Sequence, residues 1–149
     1  MADYYPLSVT VPRRTPFDIL HAIAESMKEA CEDAEYEFYE FRNEPGEYIE
    51  FQARTAYGSA GWECVWADNG NIYEALRSED LPYMVNEGGE DGGMVSWWTP
   101  EDGYHERSTR EGEIVMSISD LHGIMREHES DRARLAMALI DFFEWPVIK

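Results

Sequence analysis

Cysteine and lysine are both scarce here, two of each in 149 residues. Cys31 and Cys64 have no C-x-x-C partner, so neither a disulfide framework nor a thiolate zinc site is indicated. They read as buried free thiols in a reducing compartment. Long apolar runs are also missing. The longest, Leu135–Ile140, is six residues, far short of the roughly 18 needed to span a membrane. The opening MADYYPLSVT has no basic stretch leading into an apolar one, so no secretion signal is expected and a cytoplasmic location is. No G-x-S-x-G occurs, and NEGGEDGG (86–93) lacks the Gly-Lys-Ser/Thr ending of a phosphate loop. The four histidines, His21, His105, His122 and His128, show no H-x-x-x-H spacing. Asp18, His21 and Glu25 could share one helix face, and they read as a solvated polar face rather than as metal ligands. No catalytic residue, metal or cofactor is expected, and an enzyme is not the favoured reading.

What is abundant is negative charge. The chain carries 31 acids against 12 bases, a net charge of −19. The excess is concentrated in residues 25–50 and 74–113, each at −8, while residues 114–149 are only −2. Such a field repels nucleic acid and anionic membrane and steers basic proteins toward the chain. Aromatic residues make up 13% of the sequence, which argues against a disordered polyanion.

Both signals meet at 35–55, EYEFYEFRNEPGEYIEFQART. Aromatic runs on either side of Pro45-Gly46 predict a β-hairpin with its tip near Asn43–Gly46. In the second strand Ile49, Phe51 and Ala53 alternate with Tyr48, Glu50, Gln52 and Arg54. The first changes phase between Phe38 and Tyr39, which predicts a bulge or a strand with apolar side chains on both faces. Carboxylates two residues apart on one strand face are roughly 7 Å apart, comparable to neighbouring phosphates on a nucleic-acid strand.

The remaining pattern predicts a single α+β domain over residues 1–149. An antiparallel sheet of about six to eight strands is expected, packed against an N-terminal helix and one or two C-terminal helices. A strand over Tyr4–Val11 precedes a helix over Pro16–Asp33, with Thr15 as N-cap, Pro16 at the first helical position, and Leu20, Ile23, Ala24, Met27 and Cys31 as its core stripe. Trp62, Cys64 and Trp66 alternate as a strand, and Asn69-Gly70 predicts a tight turn into a return strand over Ile72–Arg77. Strands are expected near Tyr83–Val85 and Met94–Thr99, Trp97 and Trp98 pointing to opposite faces. A last hairpin, Tyr104–Ser108 with Glu113–Ile118, turns around Arg110-Glu111-Gly112. Ser117 or Ser119 then caps a helix near Asp120, and Ser130-Asp131 marks either a second helix start or a kink. Leu121, Ile124, Met125 and His128, then Leu135, Ala138, Leu139 and Phe142, form the apolar stripes, and Pro146 ends the helical region.

Together these features predict an acidic interaction protein that binds and blocks a basic nucleic-acid-binding protein by imitating nucleic acid. In size and charge the chain is similar to anti-restriction and anti-CRISPR proteins, and to acidic immunity proteins that neutralise nuclease toxins. The partner surface is assigned to Glu35, Glu37, Glu40, Glu44, Glu47 and Glu50, with Tyr39, Phe41 and Tyr48 as apolar anchors, and to the Gly-rich turn carrying Glu87, Glu90 and Asp91. Neither direct nucleic-acid binding nor membrane binding is expected, and the sequence leaves the oligomeric state open. Two alternatives stand beside this reading. One is a small enzyme or ligand-binding domain whose pocket is lined by Trp62, Trp66 and Trp97 or Trp98. The other is acidity that serves only solubility or adaptation to salt.

Overall fold

The computed structural model describes residues 5–32, 38–42, 48–55, 70–88 and 92–148, with side chains for 7–27, 48–52, 72–88 and 92–148. Among these residues seven strands form one sheet: β1 (Tyr5–Pro12), β2 (Phe38–Arg42), β3 (Tyr48–Thr55), β4 (Tyr83–Glu87), β5 (Gly93–Thr99), β6 (Gly103–Arg110) and β7 (Glu113–Val115). Their spatial order is β2-β3-β1-β4-β5-β6-β7 and every neighbouring pair is antiparallel. Among the described residues four helices accompany them: α1 (Phe17–Glu32), α2 (Gly70–Ser78), α3 (Ile118–Glu127) and α4 (Arg132–Phe143). The fold is therefore α+β, as the pattern predicts. No described helix is long and apolar enough to cross a membrane.

Strand alternation decides which residues meet which helix. On one face Leu7, Val9 and Val11 of β1, Ile49 and Phe51 of β3, and Tyr83 and Val85 of β4 are almost wholly buried. They form one core with Ile19, Ile23 and Met27 of α1 and Ile72 and Leu76 of α2. The other face holds a smaller cluster, Val95, Trp97 and Ile114, against which Met84 and Phe142 pack. Trp97 and Trp98 thus serve opposite faces, Trp98 lying half-buried against the larger core.

The α1 boundary differs by one residue from expectation. The Pro16 carbonyl accepts from both Ile19 and Leu20, so Phe17 is the first helical residue. The Thr15 hydroxyl donates to the Pro12 carbonyl at 2.6 Å, closing the preceding turn instead of capping the helix. Ile19 joins the buried stripe, whereas Leu20 and Ala24 are half-buried.

The larger correction is at α2, where a return strand was expected over Ile72–Arg77. Glu74, Ala75, Leu76 and Arg77 are all good helix formers, and Ile72 and Leu76, four apart, reach the core together. That burial outweighs the Asn-Gly turn preference. The helix ends in a Schellman arrangement: Asp80 takes the left-handed conformation (φ 53°), Leu81 N–H bonds the Leu76 carbonyl and Asp80 N–H that of Arg77. The expected strand at Trp62–Trp66 lies outside the described residues.

At the β6–β7 hairpin the turn residues are Glu111 (φ 52°) and Gly112 (φ 80°). Positive φ at both central positions is the type I′ signature, whose twist suits a two-residue loop. Gly93 opens β5 where a Cβ would stand 2.2 Å from the Glu87 carbonyl oxygen, so glycine is required there. The C-terminal region resolves into two helices. Ser117 caps α3 in a reciprocal capping box with Asp120, and the Asp131 carboxylate accepts from the backbone of Ala133 and Arg134 to start α4.

Candidate functional site

The predicted hairpin is present as β2 and β3, at one end of the sheet. Its register runs unbroken from Phe38↔Ala53 to Arg42↔Ile49, so the phase change in the sequence is not a bulge within β2. Register sets Phe41 opposite Glu50 and Tyr39 opposite Gln52. Glu40 is opposite Phe51, whose side chain is buried toward α1. Glu40 and Glu50 therefore fall on alternating positions rather than in one row. Glu50 and Tyr48 are half-buried, and Gln52 Nε2 donates to Glu50 Oε1 at 3.0 Å, which steadies that carboxylate. Glu87 ends β4, half-buried, between the register positions of Leu7 and Met94. Tyr39, Glu40 and Phe41 are placed by backbone alone. Glu35, Glu37, Glu44, Glu47, Glu90 and Asp91 lie outside the described residues.

Following the register across the sheet joins features that are far apart in sequence. One transverse row runs Phe41, Glu50, Thr10, Met84, Trp97, His105. The next runs Tyr39, Gln52, Ser8, Asn86, Val95, Arg107. Glu50 and Trp97 are three strands apart, roughly 14 Å at the usual inter-strand spacing. The acidic hairpin and the tryptophan of the alternative reading thus share one sheet face.

At the Trp97 end that face is the floor of a groove of about 720 Å³, walled by α3, α4 and the segment Glu144–Val147. Its aromatic part is Trp97, Phe142 and Trp145, and its acids are Glu101, Asp102, Glu127, Asp141 and Glu144. Arg107 is the organising cation. Its guanidinium carbon sits 4.2 Å from the Phe142 ring centroid and 5.4 Å from that of Trp97. Its Nε donates to the Phe142 carbonyl at 3.2 Å and Nη1 to the Glu106 carbonyl at 2.8 Å. The Phe142 carbonyl belongs to the last turn of α4, where helix carbonyls lack intrahelical donors, so Arg107 ties that helix end to the sheet. Burial lowers the Arg107 pKa from its ordinary value, partly opposed by the Asp120 carboxylate. His105 Nε2 lies 3.0 Å from the Asp102 carbonyl, and its ring meets Trp97 at 5.6 Å.

Five carboxylates line the groove beside the exposed Trp145, which makes a setting for a cationic group rather than an anionic one. Of the pocket residues expected from sequence, Trp97 lines this groove and Trp98 faces away. Trp62 and Trp66 are outside the described residues. Sequence reasoning missed Arg107, His105, Asp141 and Phe142. A legible signal existed in the alternation of His105 and Arg107 along β6, but their meeting with Phe142 depends on a 35-residue separation. Asp18, His21 and Glu25 are exposed on α1. Among the described residues no group of three or more His, Cys, Asp or Glu is arranged to hold a metal ion. Comparison with family models, curated proteins and solved structures finds no match to this chain.

Proposed function

We propose that this chain is an acidic interaction protein, which binds a basic protein through the β2–β3 end of the sheet face and the adjoining groove. The partner class is a nuclease or other nucleic-acid-binding protein, whose nucleic-acid surface the carboxylates would occupy. The supporting observation is the strand row that aligns Glu50, through the buried Thr10 and half-buried Met84, with Trp97 at the floor of the acid-rimmed groove. A span of roughly 14 Å equals about four nucleotide rises along a strand, enough for several basic side chains of one groove to engage at once. Strand-borne carboxylates such as Glu50, already hydrogen-bonded, lose little freedom on binding. A cytoplasmic setting, with Cys31 and Cys64 reduced, accompanies this reading.

The deciding experiment is displacement of DNA or RNA from a basic nuclease captured with this chain. Reversing Glu37, Glu47 and Glu50 to Lys should abolish displacement, with a strong salt dependence before reversal and an unchanged melting curve, whereas Glu40→Lys, at a position on the other face opposite Phe51, should not. Reversal at Glu87, Glu90 and Asp91 should have a smaller effect. If both sets of reversals leave displacement intact, the proposal is wrong and the acidity serves solubility or salt adaptation. The groove volume also fits a small ligand. That second reading predicts that a small organic cation binds in the groove and that reversal at the hairpin leaves its affinity unchanged.

A further inference from the structure

Helix α4 is apolar on two opposite sides. Leu135, Ala138, Leu139 and Phe142 are half-buried toward the rest of the protein. Ala133, Ala136, Met137, Ile140 and Phe143 recur at i, i+3, i+4, i+7 and i+10 on the other side and are all exposed, Met137 at 58% and Ile140 at 57%. A helix apolar all round is ordinarily buried all round. Among the described residues, eight of the ten exposed large apolar side chains fall within residues 115–147, so the stripe belongs to a wider uncovered region.

We infer that this stripe is a self-association surface, on which α4 of a second copy packs antiparallel about a two-fold axis near residue 138. Charge identifies the occupant. Two chains of −19 repel each other over most of their surfaces, but residues 114–149 carry only −2, so copies meet there with least opposition. A basic partner would find no acid within the stripe itself. An anionic membrane would be repelled by the chain as a whole.

The order of residues along α4 sets the direction of pairing. Small side chains, Ala133 and Ala136, come first, and large ones, Ile140 and Phe143, come last. Antiparallel pairing sets Ala133 against Phe143 of the second copy and Ala136 against Ile140, small into large. Parallel pairing would stack alanine on alanine and phenylalanine on phenylalanine. Charges follow the same polarity. Beyond the Asp131 cap, α4 begins with Arg132 and Arg134 and closes with Asp141 and Glu144, the reverse of what its own dipole favours. An antiparallel neighbour brings the arginine end of each helix beside the carboxylate end of the other, and each set of charges beside the helix terminus of opposite sign. Asp141 and Glu144 also line the groove, so pairing through the outer stripe brings the second copy's Arg132 and Arg134 to the groove's rim.

Sedimentation equilibrium of the full chain over micromolar concentrations tests this. Wild type should run at twice the chain mass, and Ile140→Asp at the mass of one chain with an unchanged circular-dichroism spectrum. Arg132→Glu with Arg134→Glu should weaken association at least tenfold, and adding Asp141→Arg with Glu144→Arg should restore it. That restoration would not follow if the first pair merely damaged the helix. A wild type that is monomeric at every concentration overturns the inference. So does association that Ile140→Asp leaves intact, and failure of the second charge pair to rescue the first overturns the antiparallel arrangement.

Discussion

The two faces of the sheet are closed in different ways. Under α1 and α2, the side chains of Val9, Val11, Phe51, Val85, Ile23, Met27 and Leu76 are at most 2% exposed. On the opposite face α3 and α4 contain no buried residue at all, and α4 is attached through Phe142 and its bond to Arg107. The first face has the burial that stabilises a fold of this size. The second buries Thr10, Trp97 and Thr109 of the sheet but leaves exposed acids and a groove between sheet and helix. Stability and the proposed binding surface are thereby assigned to opposite sides of the same strands.

Substitutions separate the two faces directly. Phe51→Ala should cost about 3–5 kcal/mol in chemical denaturation, while Leu139→Ala, half-exposed on α4, should cost only about 1 kcal/mol. Equal losses would mean that the C-terminal helices carry as much of the stability as the first core does. Arg107→Ala removes two donated hydrogen bonds and both ring contacts. A loss of about 1.5–3 kcal/mol is expected, with faster amide exchange in α4 and little change in α1. Exchange that accelerates equally in both helices would place Arg107 in the common core instead. Asp131→Ala should cost roughly 1 kcal/mol through loss of the α4 cap and should show first as fraying at Ala133 and Arg134.

The last effect is absent at neutral pH and belongs to the α2 side. Burial and the hydrogen bond to Glu106 raise the Tyr104 pKa to about 12. Tyr83 is raised by burial against the lowering influence of Arg77, and Tyr73 is raised further, mainly by burial. Because the folded state holds these hydroxyls neutral, their contribution is complete below the ordinary tyrosine pKa of about 10. It declines as pH rises through the raised values. Stability should be flat approaching pH 10 and fall above it, and Tyr73→Phe should lessen the fall. An identical decline in that variant would contradict the assignment.

Most of the sheet was legible in the sequence because alternation and turn chemistry agree there. Ile49 and Phe51 alternate with Tyr48 and Glu50, and Gly112 supplies one of the two positive-φ positions of the β6–β7 turn. The caps were readable only as alternatives, Ser117 beside Ser119 and Asp131 as a second start or a kink, because several residues at each site could cap. Ile72–Arg77 was misread because Asn-Gly is a strong local signal and the burial of Ile72 and Leu76 under tertiary contact is not local at all. The groove was legible only through Trp97. Arg107 appears in the sequence as one base in an acidic stretch, and its placement between Trp97 and Phe142 requires the C-terminal helix to return across the sheet. The acidic residues of 35–50 were conspicuous as composition, but their division between faces, Glu40 against Phe51 and Glu50 against Phe41, follows only from register.

The proposal that one sheet face receives basic side chains is tested most directly by backbone amide NMR during titration with an oligoarginine peptide. Shifts should concentrate at Tyr48, Glu50 and Gln52 and along Trp97, His105 and Arg107, and should disappear on reversing Glu50 and Asp141 to Lys. Shifts scattered over every acidic segment, or centred on the exposed acids of α1, would contradict it.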